Sequence, residues 1–111
     1  MKDLSERTIS LFSESTRDKL LKKSLELFNK KGYVSVTTSL LASSSNVREG
    51  NLWYHFKSKK NLVESHIELF KENISLKLED VDRIDLESLI KKLFSQYYFN
   101  WDFRYLFRDN L

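Results

Sequence analysis

Residues Thr37–Lys59, TTSLLASSSNVREGNLWYHFKSK, decide how this chain folds. Thr37 is a hydroxyl residue of the kind that caps a helix start, and Leu40, Leu41 and Ala42 form the inward side of a short helix running to about Ser45. Asn46 comes next; after glycine, asparagine is the residue best able to leave a helix through the left-handed region, and Val47 plugs the turn. A further helix is predicted from about Arg48 to Phe56. Two brief helices joined by a tight turn are the outline of a helix-turn-helix.

The second of these helices carries the chemistry. Gly50-Asn51-Leu52-Trp53-Tyr54-His55-Phe56-Lys57-Ser58-Lys59 places aromatics, an amide and an imidazole together and runs into lysines. Consecutive helical positions point in different directions, so these groups cannot all be core. Leu52, Phe56 and Val47 are assigned inward. Arg48 and Asn51 have base-reading chemistry, since arginine can pair with guanine and asparagine with adenine, each through two hydrogen bonds. Arg48 serves equally well as a phosphate clamp. Gly50 costs about 1 kcal/mol against alanine inside a helix, and it permits close backbone approach, to a duplex or to a neighbouring helix. His55 is either a core histidine or a phosphate donor. Lys57 and Lys59 are expected phosphate contacts, supported by a helix N-terminus at Ser58. Thr37 plays the same part through its hydroxyl and the amides it caps.

Working outward, a helix preceding this unit should start at Ser15 or Thr16, with Asp18 favourable in its first turn and Leu21, Ser24, Leu25 and Phe28 buried. Gly32 stands where a left-handed residue ends it, and Tyr33 can pack back on Phe28. Ser58 caps a fourth helix expected to reach about Asp80, its inward stripe being Val63, Ile67, Phe70, Ile74 and Leu78, flanked by Leu62, His66 and Leu69. Asp80–Asp85 reads as an acidic connector. A fifth helix follows, with Leu86, Leu89, Ile90, Leu93, Phe94, Tyr97, Tyr98 and Trp101 on one face. The chain has no proline and 2 glycines, which leaves few forced breaks and favours an all-α protein.

The formal net charge of +3 is unevenly spread. Residues 16–60 hold ten bases and three acids, whereas residues 61–111 hold seven bases and ten acids. Such asymmetry points to an anion-binding module joined to a different one. The absence of cysteine excludes disulfides, thiolate metal sites and cysteine nucleophiles. No apolar run approaches the roughly 20 residues that span a bilayer, and Met1–Ser15 lacks the apolar stretch of a signal peptide. A soluble cytoplasmic protein with no membrane partner is expected.

From Thr16 to Leu62 the chain resembles the DNA-binding domain of the TetR family of bacterial transcriptional repressors. The resemblance rests on Leu20-Leu21, Leu27-Phe28, Gly32-Tyr33, Thr37, Leu41-Ala42, Val47, Gly50, Leu52-Trp53, His55-Phe56, Ser58-Lys59 and Leu62, in that order and spacing. It implies a three-helix domain that binds a palindromic operator as a homodimer, followed by a helical domain that binds a small-molecule effector and pairs the protomers. It also implies that Trp53 fills a site usually held by tyrosine, and that Tyr54 faces DNA. The segment Trp101–Asp109 is similar to an aromatic-arginine stretch at the start of the effector domain in one branch of the family. The chain departs from the pattern at Arg48, where a capping serine is usual, at Asn46 in place of glycine, and at Lys23 and Ser45 in place of alanine. Family members are roughly twice as long, so the helices that pair protomers are expected to be missing.

The expected organisation is therefore a flexible tail (1–15), either frayed or holding a weak extra helix, a helix-turn-helix domain (16–60), and a connecting helix with part of an effector and dimerisation domain (61–111). Duplex DNA contacts are assigned to Thr37, Arg48, Gly50, Asn51, Tyr54, His55, Lys57 and Lys59. Effector contacts are sought among Tyr97, Tyr98, Trp101 and Phe103. An enzyme is not expected, nor a metal or cofactor: His55 and His66 lie on different helices with no carboxylate pair beside either, and Glu68 and Glu72 have ordinary solvated-face spacing. The competing reading is a helical interaction module that self-associates through its aromatic C-terminal segment.

Overall fold

The computed structural model describes residues 4–74 and 85–111, all of whose regular structure is helical. The helices are α1 (Glu6–Ile9), α2 (Thr16–Lys31), α3 (Thr38–Ser44), α4 (Glu49–His55), α5 (Lys59–Glu72), α6 (Leu86–Asp102) and α7 (Tyr105–Arg108).

Local chemistry sets the boundaries. Ser15 accepts a hydrogen bond from the Asp18 amide at 3.1 Å, Thr37 from Leu40 at 3.1 Å, Ser58 from Asn61 at 3.1 Å and Asp85 from Ser88 at 2.9 Å. Each satisfies an amide that a helix start would otherwise leave without an acceptor. Gly32 ends α2 at φ 87°, a left-handed angle costly for any side chain, and the Tyr33 ring meets Phe28 edge-on at 5.2 Å. Asn46 takes φ 58°, and the Val47 amide donates to the Ala42 carbonyl at 2.9 Å, closing the turn between α3 and α4.

Leu20, Leu25 and Phe28 of α2, Leu41 of α3, Leu52 of α4, Phe56 and Leu62 are buried in one cluster with Phe99, Phe103 and Tyr105. The α2 face is the expected one. Packing runs unbroken past residue 60, and one core joins the residues on both sides of the expected division.

The tail expected at 1–15 is not loose over its described part: Leu4 and Thr8 are buried, and α1 docks on α6. The cause is Asp102, whose carboxylate accepts from the Ser5 amide (3.1 Å), the Ser5 hydroxyl (2.5 Å) and the Thr8 hydroxyl (2.6 Å). Arg7 lies over the Phe99 ring at 4.3 Å and donates to Ser95 Oγ and the Asn73 carbonyl.

Two expectations need correction. On α5 the buried residues are Leu62, Val63 and His66, while Ile67 is exposed; α5 closes at Asn73, and Leu78 of the expected stripe lies outside the described residues. His66 turns inward because it is fully partnered there, as described below.

On α6 the long apolar stripe faces out: Leu86, Ile90, Leu93, Phe94, Tyr97, Tyr98 and Trp101 are all exposed. The helix instead buries Phe99 and Asp102, because a buried carboxylate must face its donors, and these come from α1.

Candidate nucleic-acid interface

Helix α4 is positioned by Leu52, buried at 1% exposure, and by Phe56 just beyond its end, also at 1%. Helix α4 packs against α2 and α3, and its opposite side is presented to solvent. Arg48, Asn51 and Tyr54 follow at intervals of three and are all exposed, Tyr54 at 83%. Residues three apart on a helix are neighbours, so these three form one continuous strip. Gly50 is open as well: a Cβ there would meet nothing within 4 Å. Helix packing therefore gives no reason for a glycine at that position.

Arg48 takes the N-cap position in extended geometry (φ −78°, ψ 151°) and makes no capping bond with its side chain. Its guanidinium is left exposed at the leading end of the helix. Glu49 accepts from the Ser39 hydroxyl of α3, which ties the two helices together on the same side. His55 is half-buried, with the Tyr54 ring against it edge-on at 5.0 Å. Trp53, at 42% exposure, flanks the strip. Lys57 is exposed just past α4, and Thr37 is exposed at the start of α3.

Lys59 behaves differently from the phosphate contact expected of it. Its ammonium donates to the Tyr33 carbonyl at 2.6 Å and sits 4.2 Å from the centre of the Tyr33 ring. Burial lowers its pKa from the ordinary lysine value. Lys59 thus ties the start of α5 to the turn after α2, and Lys57 is the freer base.

Of the expected effector residues, Phe103 is a core residue at 0% exposure, meeting Phe70 edge-on and Phe99 at a tilt. It packs inward because the chain turns at the end of α6, and it lines no described cleft. Tyr97 and Trp101 border a surface cleft of about 400 Å³ with Asn100, Arg104, Phe107 and Arg108. Tyr98 is exposed outside that cleft.

Beneath the interface lies a polar seam that the sequence pattern did not reveal. His66 is fully buried, its Nε2 2.9 Å from the Leu21 carbonyl and its Nδ1 2.6 Å from the Tyr105 hydroxyl. The carbonyl can only accept, so Nε2 carries the proton and Nδ1 accepts from Tyr105. Burial pushes the His66 pKa down to about 4 against the opposing pull of the Leu21 carbonyl, and it raises that of Tyr105. This is a neutral structural histidine with no carboxylate in contact.

Farther along the seam, Asn29 donates to the Asp102 carbonyl at 2.6 Å and accepts from the Tyr105 amide at 3.1 Å. Arg108 donates to the carbonyls of Asn29 (2.9 Å) and Phe28 (3.0 Å) in the last turn of α2, the Phe28 carbonyl also accepting from the Gly32 amide at 3.0 Å. Asp109 accepts from Arg108 at 2.6 Å and from the Tyr33 amide at 2.8 Å. Residues 102–109 therefore grip the last turn of α2 and the turn that leads into α3.

Residues 20–65 match the sequence profile of bacterial regulatory proteins of the tetR family. These residues are therefore a TetR-family domain. A TetR-family transcriptional regulator from Marinobacter aquaeolei VT8 superposes with a TM-score of 0.75 at 33% identity, over 85% of this chain and 47% of that one. The biofilm operon icaADBC HTH-type negative transcriptional regulator IcaR of Staphylococcus aureus is 29% identical over 93 residues, which make up 81% of this chain and 50% of that protein. The probable HTH-type transcriptional regulator YttP of Bacillus subtilis is 35% identical over 65 residues, 59% of this chain and 31% of that protein. The chain thus spans half the length of IcaR or less of the others. In TetR-family terms the described residues comprise the helix-turn-helix domain and helices that follow it. Among them, no helix is long and apolar enough to cross a membrane.

Proposed function

We propose that this chain is a sequence-specific DNA-binding repressor that lays α4 in the major groove of an operator. The observation that carries this reading is the strip Arg48, Asn51 and Tyr54, outward on a helix whose other side is locked by Leu52 and Phe56. A rigid helix presenting a guanidinium and an amide matches the donor and acceptor pattern of base edges. In this reading Arg48 and Asn51 read bases, Tyr54 meets a thymine methyl or a phosphate, and Gly50 lets the backbone come close. Thr37, His55 and Lys57 hold phosphates, and Lys59 sets the start of α5. The operator is palindromic and bound by a homodimer, a small-molecule effector releases it, and the protein acts in the cytoplasm without catalysing a reaction.

The test is selection from random duplexes followed by titration in varied salt. Asn51→Ala should erode preference among sequences, whereas Lys57→Ala should weaken all duplexes alike and flatten the salt slope by about one unit. Equal effects of both changes on selected and random DNA would reject this division of labour.

The outward stripe of α6 favours a second reading, in which Ile90, Leu93, Phe94 and Tyr97 form an association surface. These residues border an apolar groove of about 410 Å³, and exposed patches of that kind are uncommon on monomers. Light scattering that stays monomeric up to high concentration would remove self-association.

A further inference from the structure

The cleft at the corner of α6 and α7 differs in kind from the apolar groove beside it. Its walls are aromatic, from Tyr97, Trp101 and Phe107, and its charged groups are both cations, Arg104 and Arg108, with the Asn100 amide beside them. No carboxylate lines it. The Arg104 guanidinium lies 4.6 Å over the Trp101 ring, held there by one bond to the Trp101 carbonyl at 3.1 Å. Its other N–H groups have no acceptor among the described residues. The Asn100 carbonyl oxygen accepts from Gln96 at 2.6 Å, which turns the amide nitrogen, with its two N–H donors, away from that bond. At about 400 Å³ the cleft falls within the range of small-molecule sites. Flat walls select a planar ring, and a guanidinium fork selects a carboxylate.

One lining residue links this cleft to α2. Arg108 borders it with a side chain 47% exposed while donating to Asp109 and to the carbonyls of Phe28 and Asn29. An anion in the cleft competes with those acceptors for the same guanidinium. We propose that the cleft binds a small planar aromatic carboxylate, held by Arg104 and Asn100, and that its binding draws Arg108 off the end of α2. The second half rests on the DNA-binding reading above; the first half does not.

The test is calorimetric titration of the full chain with 2-naphthoate and, as a neutral match in shape, 2-naphthalenemethanol. The acid should bind about tenfold more tightly, the step expected of one charge-assisted contact. Arg104→Ala should abolish that preference. Asn100→Asp, at an exposed site, should do so by adding a negative charge, with the helical spectrum unchanged. Equal binding of the two probes, or a preference that survives both substitutions, overturns the assignment. Saturating 2-naphthoate should also weaken binding to a selected duplex at least threefold; an unchanged duplex affinity overturns the coupling through Arg108. A chain that prefers the acid yet binds no duplex at any salt leaves the cleft standing and removes both the coupling and the DNA-binding reading.

Discussion

His66 makes the stability of this chain fall with acidity in a way that one substitution can isolate. In the folded state the imidazole is fully buried and its pKa is pushed down to about 4, while in the unfolded chain it returns to the ordinary value of 6.5. The unfolded state therefore takes up the proton first. The contribution of His66 is complete above pH 6.5 and is lost as pH falls from there towards 4; below that both states are protonated and the loss stays constant. Each pKa unit is worth about 1.4 kcal/mol, so the span amounts to roughly 3 kcal/mol. That is a large part of the roughly 5–15 kcal/mol that holds a domain folded. The assay is urea unfolding followed by far-UV circular dichroism between pH 7 and pH 4, on the wild type and on His66→Gln. Every other ionisable group is the same in both proteins and cancels in the difference. The stability advantage of the wild type should shrink by roughly 3 kcal/mol across the range. Parallel pH curves for the two proteins would refute the reasoning.

Asp102→Ala strands the hydroxyls of Ser5 and Thr8 and the Ser5 amide at once. A loss of roughly 3 kcal/mol is expected, with faster amide exchange over Glu6–Ile9 and little change in α3. Gly32→Ala forces a side chain into φ 87° and should cost about 1–2 kcal/mol in thermal or urea unfolding; no measurable change would mean that the turn relaxes freely. Lys59→Ala should cost on the order of 1 kcal/mol of stability through the lost Tyr33 bond and ring contact. Its effect on the salt slope of DNA binding should be smaller than that of Lys57→Ala, and the reverse order would return Lys59 to the phosphate contacts.

Much of the helix-turn-helix was legible because its signals are local. Thr37, Ser58 and Ser15 cap within three residues of themselves, and the left-handed turn at Asn46 needs nothing from outside. The outward strip on α4 was legible for the same reason, since the inward pull of Leu52 and Phe56 fixes the rest of a seven-residue helix. What escaped the sequence depends on partners far along the chain. Apolar spacing alone turns α6 stripe-inward, but the donors that bury Asp102 sit at Ser5 and Thr8, more than ninety residues earlier. His66 was placed beside the α5 stripe rather than at its centre because its partners lie on α2 and α7. Lys59 reads in sequence as a phosphate contact because a carbonyl acceptor at Tyr33 has no sequence signature.

The seam between α2 and residues 99–109 bears on how this protein can be taken apart. A reading head cut off after α5 would lose Phe99, Phe103 and Tyr105 together, laying Phe28 open to water and leaving the imidazole below it without its hydroxyl donor. Chimaeras that graft α2–α5 onto another protein should therefore carry the corner through Asp109 with them. The portable unit is the reading head plus its floor.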